Sequence, residues 1–255
     1  MAATEQGIYL YGIIQTSQDR AFPIEGLQNE PISTIGFNGL AAVYSPYEFN
    51  GRQHVKSSRV NMLAHQKVLE YVMQEYTILP FSFGTVTESM QEIDNLLRNR
   101  YRIFEKNLNW IEGRIELGVK AFWKNPDKVF NDIATNNGEV KKLKAYIEKT
   151  GDQAALIEVG KKVSELLELK KQNYAEVIAE ELAPTAVEYK INKSITDAMF
   201  LNASFLVNKS REIEFDNVME ELGEKYEGEI DFKYVGPLPV YSFIDLTIEL
   251  EEWEK

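Results

Sequence analysis

EGRIELGVKAFW, residues Glu112–Trp123, is where the chain changes its period. Before it, apolar residues recur every three or four positions, at Met90, Ile93, Leu97, Phe104, Leu108 and Ile111. That spacing predicts a helix over Glu88–Ile111, with Thr87 as its N-cap. Within it, Ile115, Leu117, Val119, Ala121 and Trp123 alternate with Arg114, Glu116, Gly118, Lys120 and Phe122. Alternation of this kind reads as a half-buried strand, with Glu116 on its polar side. No Gly/Ser/Pro-rich linker intervenes, so the change of period alone places a domain boundary at residues 110/111.

Downstream, Pro126 opens a short helix over Asp127–Thr135, and a second helical piece covers Glu139–Lys149. Asp152–Leu182 is the longest helical pattern and stops before Pro184. Ala186–Ile191 alternates as a strand, and MFLNASFLV, Met199–Val207, is apolar enough for a central strand. Arg211–Tyr226 returns to helix and Glu229–Val235 to strand. GPLP, Gly236–Pro239, reads as a rigid turn. Tyr241–Leu250 reads as a last strand, and the acidic tail Glu251–Lys255 is expected to fray. Strand, helix, strand, strand, helix, strand is the split βαβ order, so residues 111–255 are expected to form a ferredoxin-like domain with added elements.

Residues 1–110 read as a separate α+β domain, which makes the fold class α+β overall. Gly7–Ile14 is a strand and Gln15–Pro31 a loop. Ile32–Ile35 and Gly39–Ser45 form a hairpin through Gly36–Gly39. A helix covers Arg59–Tyr76, capped by Ser58 or Asn61, with an apolar stripe at Met62, His65, Leu69, Val72 and Tyr76. Between the two helices lies TILPFSFGTV, Thr77–Val86, with no charged side chain. It reads as a buried strand on which Phe81 and Phe83 share a face, or as part of a binding surface.

Composition narrows the function. Forty acidic against 28 basic residues give a net charge of −12, which argues against a nucleic-acid clamp and against docking on anionic lipid. The absence of cysteine excludes disulfides, thiolate chemistry and Cys-type zinc or iron–sulfur sites. The opening MAATEQGIYLYGII lacks the basic region of a signal peptide, and no apolar run reaches membrane-spanning length. Of the two histidines, His54 falls in a loop and His65 on an apolar stripe; neither belongs to a metal or hydrolase motif. Asp245 is an acid within an apolar strand and a weak site candidate. No enzyme, cofactor or metal is therefore expected. What remains is aromatic residues beside prolines and glycines, in LPFSFG and in GPLPVYSF. Phe81, Phe83, Pro237, Pro239, Tyr241 and Phe243 are the candidate partner-binding residues. Internal packing, with the prolines as turn punctuation, is the alternative.

At these stretches the sequence resembles the gas vesicle protein F/L family. GIYLYGII resembles the family's opening strand, and AHQKVLEYVM, Ala64–Met73, with TILPFSFGTV resembles its His-bearing helix and following LP-x-x-FG-T element. MFLNASFLV resembles its penultimate core strand, and KYVGPLPVYSF, Lys233–Phe243, its closing motif. Family members often carry a further proline where this chain has Val240, which implies a less rigid turn here. The resemblance implies a non-catalytic minor component or assembly factor of gas vesicles, the hollow protein shells inside prokaryotic cells. It implies the small hydrophobic shell protein and other accessory proteins as partners, and a place on the vesicle within the cytoplasm. It also implies a two-domain fold with a ferredoxin-like C-terminal part. A small-molecule sensor on a ferredoxin-like domain, and a metal-assisted enzyme using His65, stand as competing expectations.

Overall fold

The computed structural model describes residues 6–49, 54–196 and 198–245. They fall into two units: one from Met1–Glu116 with Pro237–Lys255, the other from Leu117–Gly236.

The first unit is built on β1 (Gln6–Gln15), whose residues from Gly7 to Ile14 are all buried. A strand this apolar needs both faces covered. α1 (Arg59–Val72) covers one, where Val68, Leu69 and Val72 pack with Tyr9, Tyr11 and Ile14. α2 (Met90–Asn99) and α3 (Tyr101–Ile111) cover the other and bury Ile93, Leu96, Leu97, Phe104, Leu108 and Ile111. The remaining strands are β2 (Ala21–Glu25), β3 (Pro31–Phe37), β4 (Leu40–Glu48), β5 (Ile78–Pro80) and β6 (Val86–Thr87). The sheet order is β2-β3-β4-β1-β5, with β6 also on β1. β3 and β4 form the expected hairpin through Asn38 and Gly39, which sit at φ 50° and 87° as a two-residue hairpin turn requires. β2 lies in the stretch expected to be loop. Pro23 is tolerated there, because β2 is an edge strand.

Thr77–Val86 is not one strand. β5 and β6 both pair antiparallel with β1, and the chain turns away from it between them. Gly84 makes that turn at φ 92°, a backbone angle open to glycine. The turn separates the two phenylalanines. Phe81 is buried edge-on to Phe104 of α3, whereas Phe83 packs on Tyr9 and His65 on the α1 side. The helix expected over Glu88–Ile111 is also divided. Arg100, at φ −108° and ψ 10°, breaks it into α2 and α3. Ser89, not Thr87, caps α2, and Thr87 instead bonds the Glu92 carboxylate. Glu92 also accepts the Glu88 N–H, a reciprocal cap close to the capping box. α1 is capped by Ser58 and ends at Val72, short of Tyr76, and Met62 is exposed rather than on its buried stripe.

The other sheet has β7 (Arg114–Trp123), β8 (Glu188–Ile191), β9 (Met199–Asn208) and β10 (Ile230–Leu238) in the order β10-β7-β9-β8; it belongs to the second unit except for Arg114–Glu116 and Pro237–Leu238, which cluster with the first. β7 and β8 thus flank β9, and β9 and β10 flank β7. Between β7 and β8 lie α4 (Pro126–Asn136), α5 (Gly138–Thr150) and the 30-residue α6 (Gln153–Leu182). They close a small core of Val140, Val159 and Val163 with Ile133, Leu143, Ile147 and Leu166. Pro126 opens α4 as expected, and Asp152 caps α6 by accepting from Ala154 and Ala155 N–H. α7 (Glu212–Lys225) follows β9 and places Phe215 against Phe205.

Two expectations change at the end of the chain. GPLP is not a turn, since β10 continues through Gly236 and Pro237 to Leu238. β10 is an edge strand, the position in a sheet where proline is tolerated. Residues 241–245 form a turn and irregular chain rather than a strand; Leu246–Leu250 and the tail lie outside the described residues. The closing segment from Pro237 clusters with the first unit, whereas a division at 110/111 had grouped it with the second. Among the described residues, no helix is long and apolar enough to cross a membrane.

Two glycines test this account. Gly84→Ala is expected to destabilise the protein by about 1–2 kcal/mol, because alanine resists positive φ. Gly223→Ala, inside α7 with open space at its Cβ, is expected to stabilise by up to about 1 kcal/mol. Urea unfolding of both variants reads these opposite signs.

Candidate functional site

One residue from each aromatic motif, Phe83 and Tyr241, meets the other at His65. β1 brings Tyr9 and Tyr11 to this point. A register shift in the β1–β4 pairing between Leu10 and Gly12 makes Tyr11 the extra residue of a bulge. The bulge changes the strand's parity, so Tyr9, Tyr11 and then Ile14 all line the α1 side. His65, on the buried stripe of α1, is only 3% exposed. Its ring stacks on Tyr11 at 5.6 Å and meets Tyr9 and Phe83 edge-on.

Both ring nitrogens of His65 have partners. Tyr9 Oη lies 2.9 Å from Nδ1, and Tyr241 Oη lies 3.3 Å from Nε2. Tyr9 Oη also accepts the Gly84 N–H at 2.9 Å. In the neutral imidazole one ring nitrogen donates and the other accepts, and a tyrosine hydroxyl can serve as partner to either. Tyr11 Oη bonds Ser45 Oγ at 3.1 Å and accepts the Leu27 N–H at 2.9 Å. Burial pushes His65 down to about 4, opposed in part by the Phe81 backbone. Burial likewise raises Tyr9 and Tyr241 well above the ordinary tyrosine value, with the nearby Glu116 and Glu70 charges adding to the effect on Tyr241. The cluster is therefore neutral at pH 7.

Glu116 holds the closing segment in place. Its Oε2 accepts the Tyr241 N–H at 2.9 Å and the Ser242 N–H at 2.7 Å, and its Oε1 accepts the Ser242 hydroxyl at 2.5 Å. Alternation had put Glu116 on the polar face of its strand, yet it is buried. A buried carboxylate requires donors, and this one finds them in the YSF motif. The partners lie 125 and 126 positions away, so no local pattern around Glu116 announces them.

The six candidate residues are not equivalent. Phe83 and Tyr241 both pack into the His65 cluster and stay half-buried. Phe81 and Pro239 are buried, Phe243 is half-buried and Pro237 is exposed. Asp245 is exposed and His54 lies in a bend. Among the described residues, no group of three or more His, Cys, Asp or Glu is placed to hold a metal ion.

The depressed pKa of His65 carries a sign. Between its ordinary 6.5 and the folded value of about 4, the unfolded chain binds the extra proton. Its contribution to stability is therefore complete above pH 6.5 and is lost as the pH falls towards 4. By pH 5 the loss is about 2 kcal/mol. His65→Gln keeps a donor and an acceptor but does not titrate. The drop in unfolding free energy from pH 7 to pH 5 is expected to shrink by about that amount in the variant; equal drops would mean that His65 is not a buried neutral base.

Comparison with known proteins identifies the family. The profile of the family described as gas vesicle synthesis protein GvpL/GvpF matches residues 7–245, from β1 through the closing segment. Gas vesicle protein F of Microcystis aeruginosa is 26% identical over 94% of this chain and 98% of its own. Gas vesicle protein F1 of Halobacterium salinarum is 26% identical over 97% of each. The crystal structure of GvpF from Microcystis aeruginosa superposes with a TM-score of 0.80 at 25% identity, covering 94% of this chain and 99% of that one. That of GvpF from Anabaena sp. PCC7120 gives 0.77 at 25% identity over 95% and 98%. The profile and the matching mixed α/β structures span nearly the whole chain, and the chain belongs to the gas vesicle synthesis protein GvpL/GvpF family.

Proposed function

We propose that the protein serves gas-vesicle formation as a minor structural component or assembly factor that binds the hydrophobic shell protein and other accessory proteins. The observation that carries this reading is the family match over residues 7–245. It includes both aromatic motifs, each of which brings one residue to His65. In this reading the protein acts on the vesicle inside the cell, by binding and without catalysis. His65 supports that view, since both of its nitrogens are engaged with tyrosines and burial keeps it uncharged.

The candidate surface divides into support and contact. Phe81 and Pro239 are buried and shape the surface from within. Pro237, Tyr241, Phe243 and Phe83 keep exposed area and form the proposed contact. Rigid aromatics suit an apolar partner because little freedom is lost when they are covered. We also read Leu117–Gly236 as a ferredoxin-like unit, with the helices α4, α5 and α6 as an expanded first crossover. Its support is that each crossover joins strands separated by one inserted strand, as two split βαβ units require. The sensor reading has no observation in its favour. One open depression of about 510 Å³, lined by Phe22, Pro23, Ile24, Glu25, Asn29, Pro31 and Lys67, brings few polar groups together.

The test uses Phe243→Ala and Pro237→Ala, which leave the His65 and Glu116 hydrogen bonds in place. Co-purification with the shell protein is expected to fall at least about tenfold for the double variant, a loss of about 1.4 kcal/mol. Circular dichroism checks that the fold is kept. Full capture of the shell protein by a folded double variant would remove this surface from the proposal.

A further inference from the structure

Sheet edges present unpaired N–H and C=O groups, and folds blunt them. In this protein three of the four strands at the ends of the two sheet orders contain a proline: Pro23 in β2, Pro80 in β5 and Pro237 in β10. The fourth, β8, reads EYKI and has neither proline nor glycine. All four of its residues are exposed, and among the described residues it pairs with β9 alone.

The hydrogen-bond phase of β8 is fixed. It pairs antiparallel with β9 from Glu188↔Leu206 to Ile191↔Ala203, and the Asn192 N–H bonds the Asn202 carbonyl at 2.6 Å. Residues 188, 190 and 192 therefore turn their backbone groups towards β9, and the Val187 N–H also bonds the Leu206 carbonyl at 2.7 Å, leaving only its carbonyl for an outer partner. Those of Tyr189 and Ile191 turn outward. The side chains add an apolar stripe, with Val187, Tyr189 and Ile191 exposed to 41, 39 and 50%. Tyr189 stacks on Phe205 at 5.6 Å, which sets this stripe on the face of the sheet that bears α7.

We propose that β8 is a self-association edge, through which two copies of this chain pair antiparallel about a two-fold axis at Tyr189. The phase allows it. The two Tyr189 residues exchange N–H···O=C bonds across the axis, and each Ile191 N–H reaches the Val187 carbonyl of the other copy. Charge selects this register. With the axis at Tyr189, each Glu188 faces a Lys190 of the other copy, and Val187 faces Ile191. An axis at Glu188 or at Lys190 would set like charges opposite each other. An axis at Ile191 would set Tyr189 against Lys193 and separate Glu188 from Lys190. The edge is thus self-complementary in one register, as a two-fold contact must be. The inference rests on the second unit's sheet and is independent of the gas-vesicle reading.

Sedimentation equilibrium of the full chain across the micromolar range tests it. The mass is expected to rise with concentration from 29.3 kDa to twice that value. Ile191→Pro removes an outward N–H that no β9 group receives, so the monomer should keep its circular dichroism and melting temperature. Its dimer dissociation constant is expected to rise at least tenfold. Glu188→Lys should weaken the dimer, and Glu188→Lys combined with Lys190→Glu should restore it. The charge exchange also decides the matter if Ile191→Pro does not fold. A chain that stays at 29.3 kDa throughout, or a dimer indifferent to both the proline and the charge exchange, overturns the proposal.

Discussion

The buried imidazole of His65 needs a partner for each ring nitrogen, and the first unit is arranged around that need. Tyr9 comes from the central strand and Tyr241 from 176 residues further along the chain than His65. Tyr9 is held in turn by the backbone of Gly84, in the turn between β5 and β6. A polar group in such a place is costly when half satisfied and orders its surroundings when fully satisfied. This one joins the sheet, α1, the β5–β6 turn and the closing segment. The bulge at Tyr11 belongs to the same arrangement, since it keeps the stripe of β1 on the α1 side beyond the tyrosines.

Glu116 acts on the same segment by a different physical route. Its two oxygens accept from two backbone N–H groups and a hydroxyl of the closing segment. Three hydrogen bonds to one carboxylate thus fix Tyr241 and Ser242 more firmly than their irregular backbone would suggest. The aromatics beside them inherit that rigidity.

Much of the fold was legible because period and punctuation agreed. The alternation in Glu112–Trp123, the hairpin at Asn38–Gly39, Ser58 as a cap and Pro126 as a helix opener all follow from local rules. The failures share one cause: a tertiary partner decided the local structure. Thr77–Val86 has strand composition, but Gly84 leaves the ladder to reach Tyr9. The helix pattern over 88–111 is continuous in its apolar residues, and the break at Arg100 leaves no mark in the sequence. Of the site, His65 was legible as a core histidine, and Tyr241 and Phe83 as motif residues. Their meeting was not. Glu116 was misplaced because alternation assigns a side chain to a face without saying whether that face is open.

Proline shows most clearly what local reading lacks. Pro23 lies inside a stretch read as loop and Pro237 inside one read as a turn, yet both sit within edge strands. Each of these strands has a sheet neighbour on one side only. The residue that breaks a central strand is thus tolerated at an edge and guards it. What separates the two meanings is the position of the strand in its sheet, which depends on residues far away in sequence. By the same logic an end strand without proline is left open to pairing. β8 is that strand, and its alternating Glu188 and Lys190 carry opposite charges at the spacing that a second copy, run antiparallel, would match.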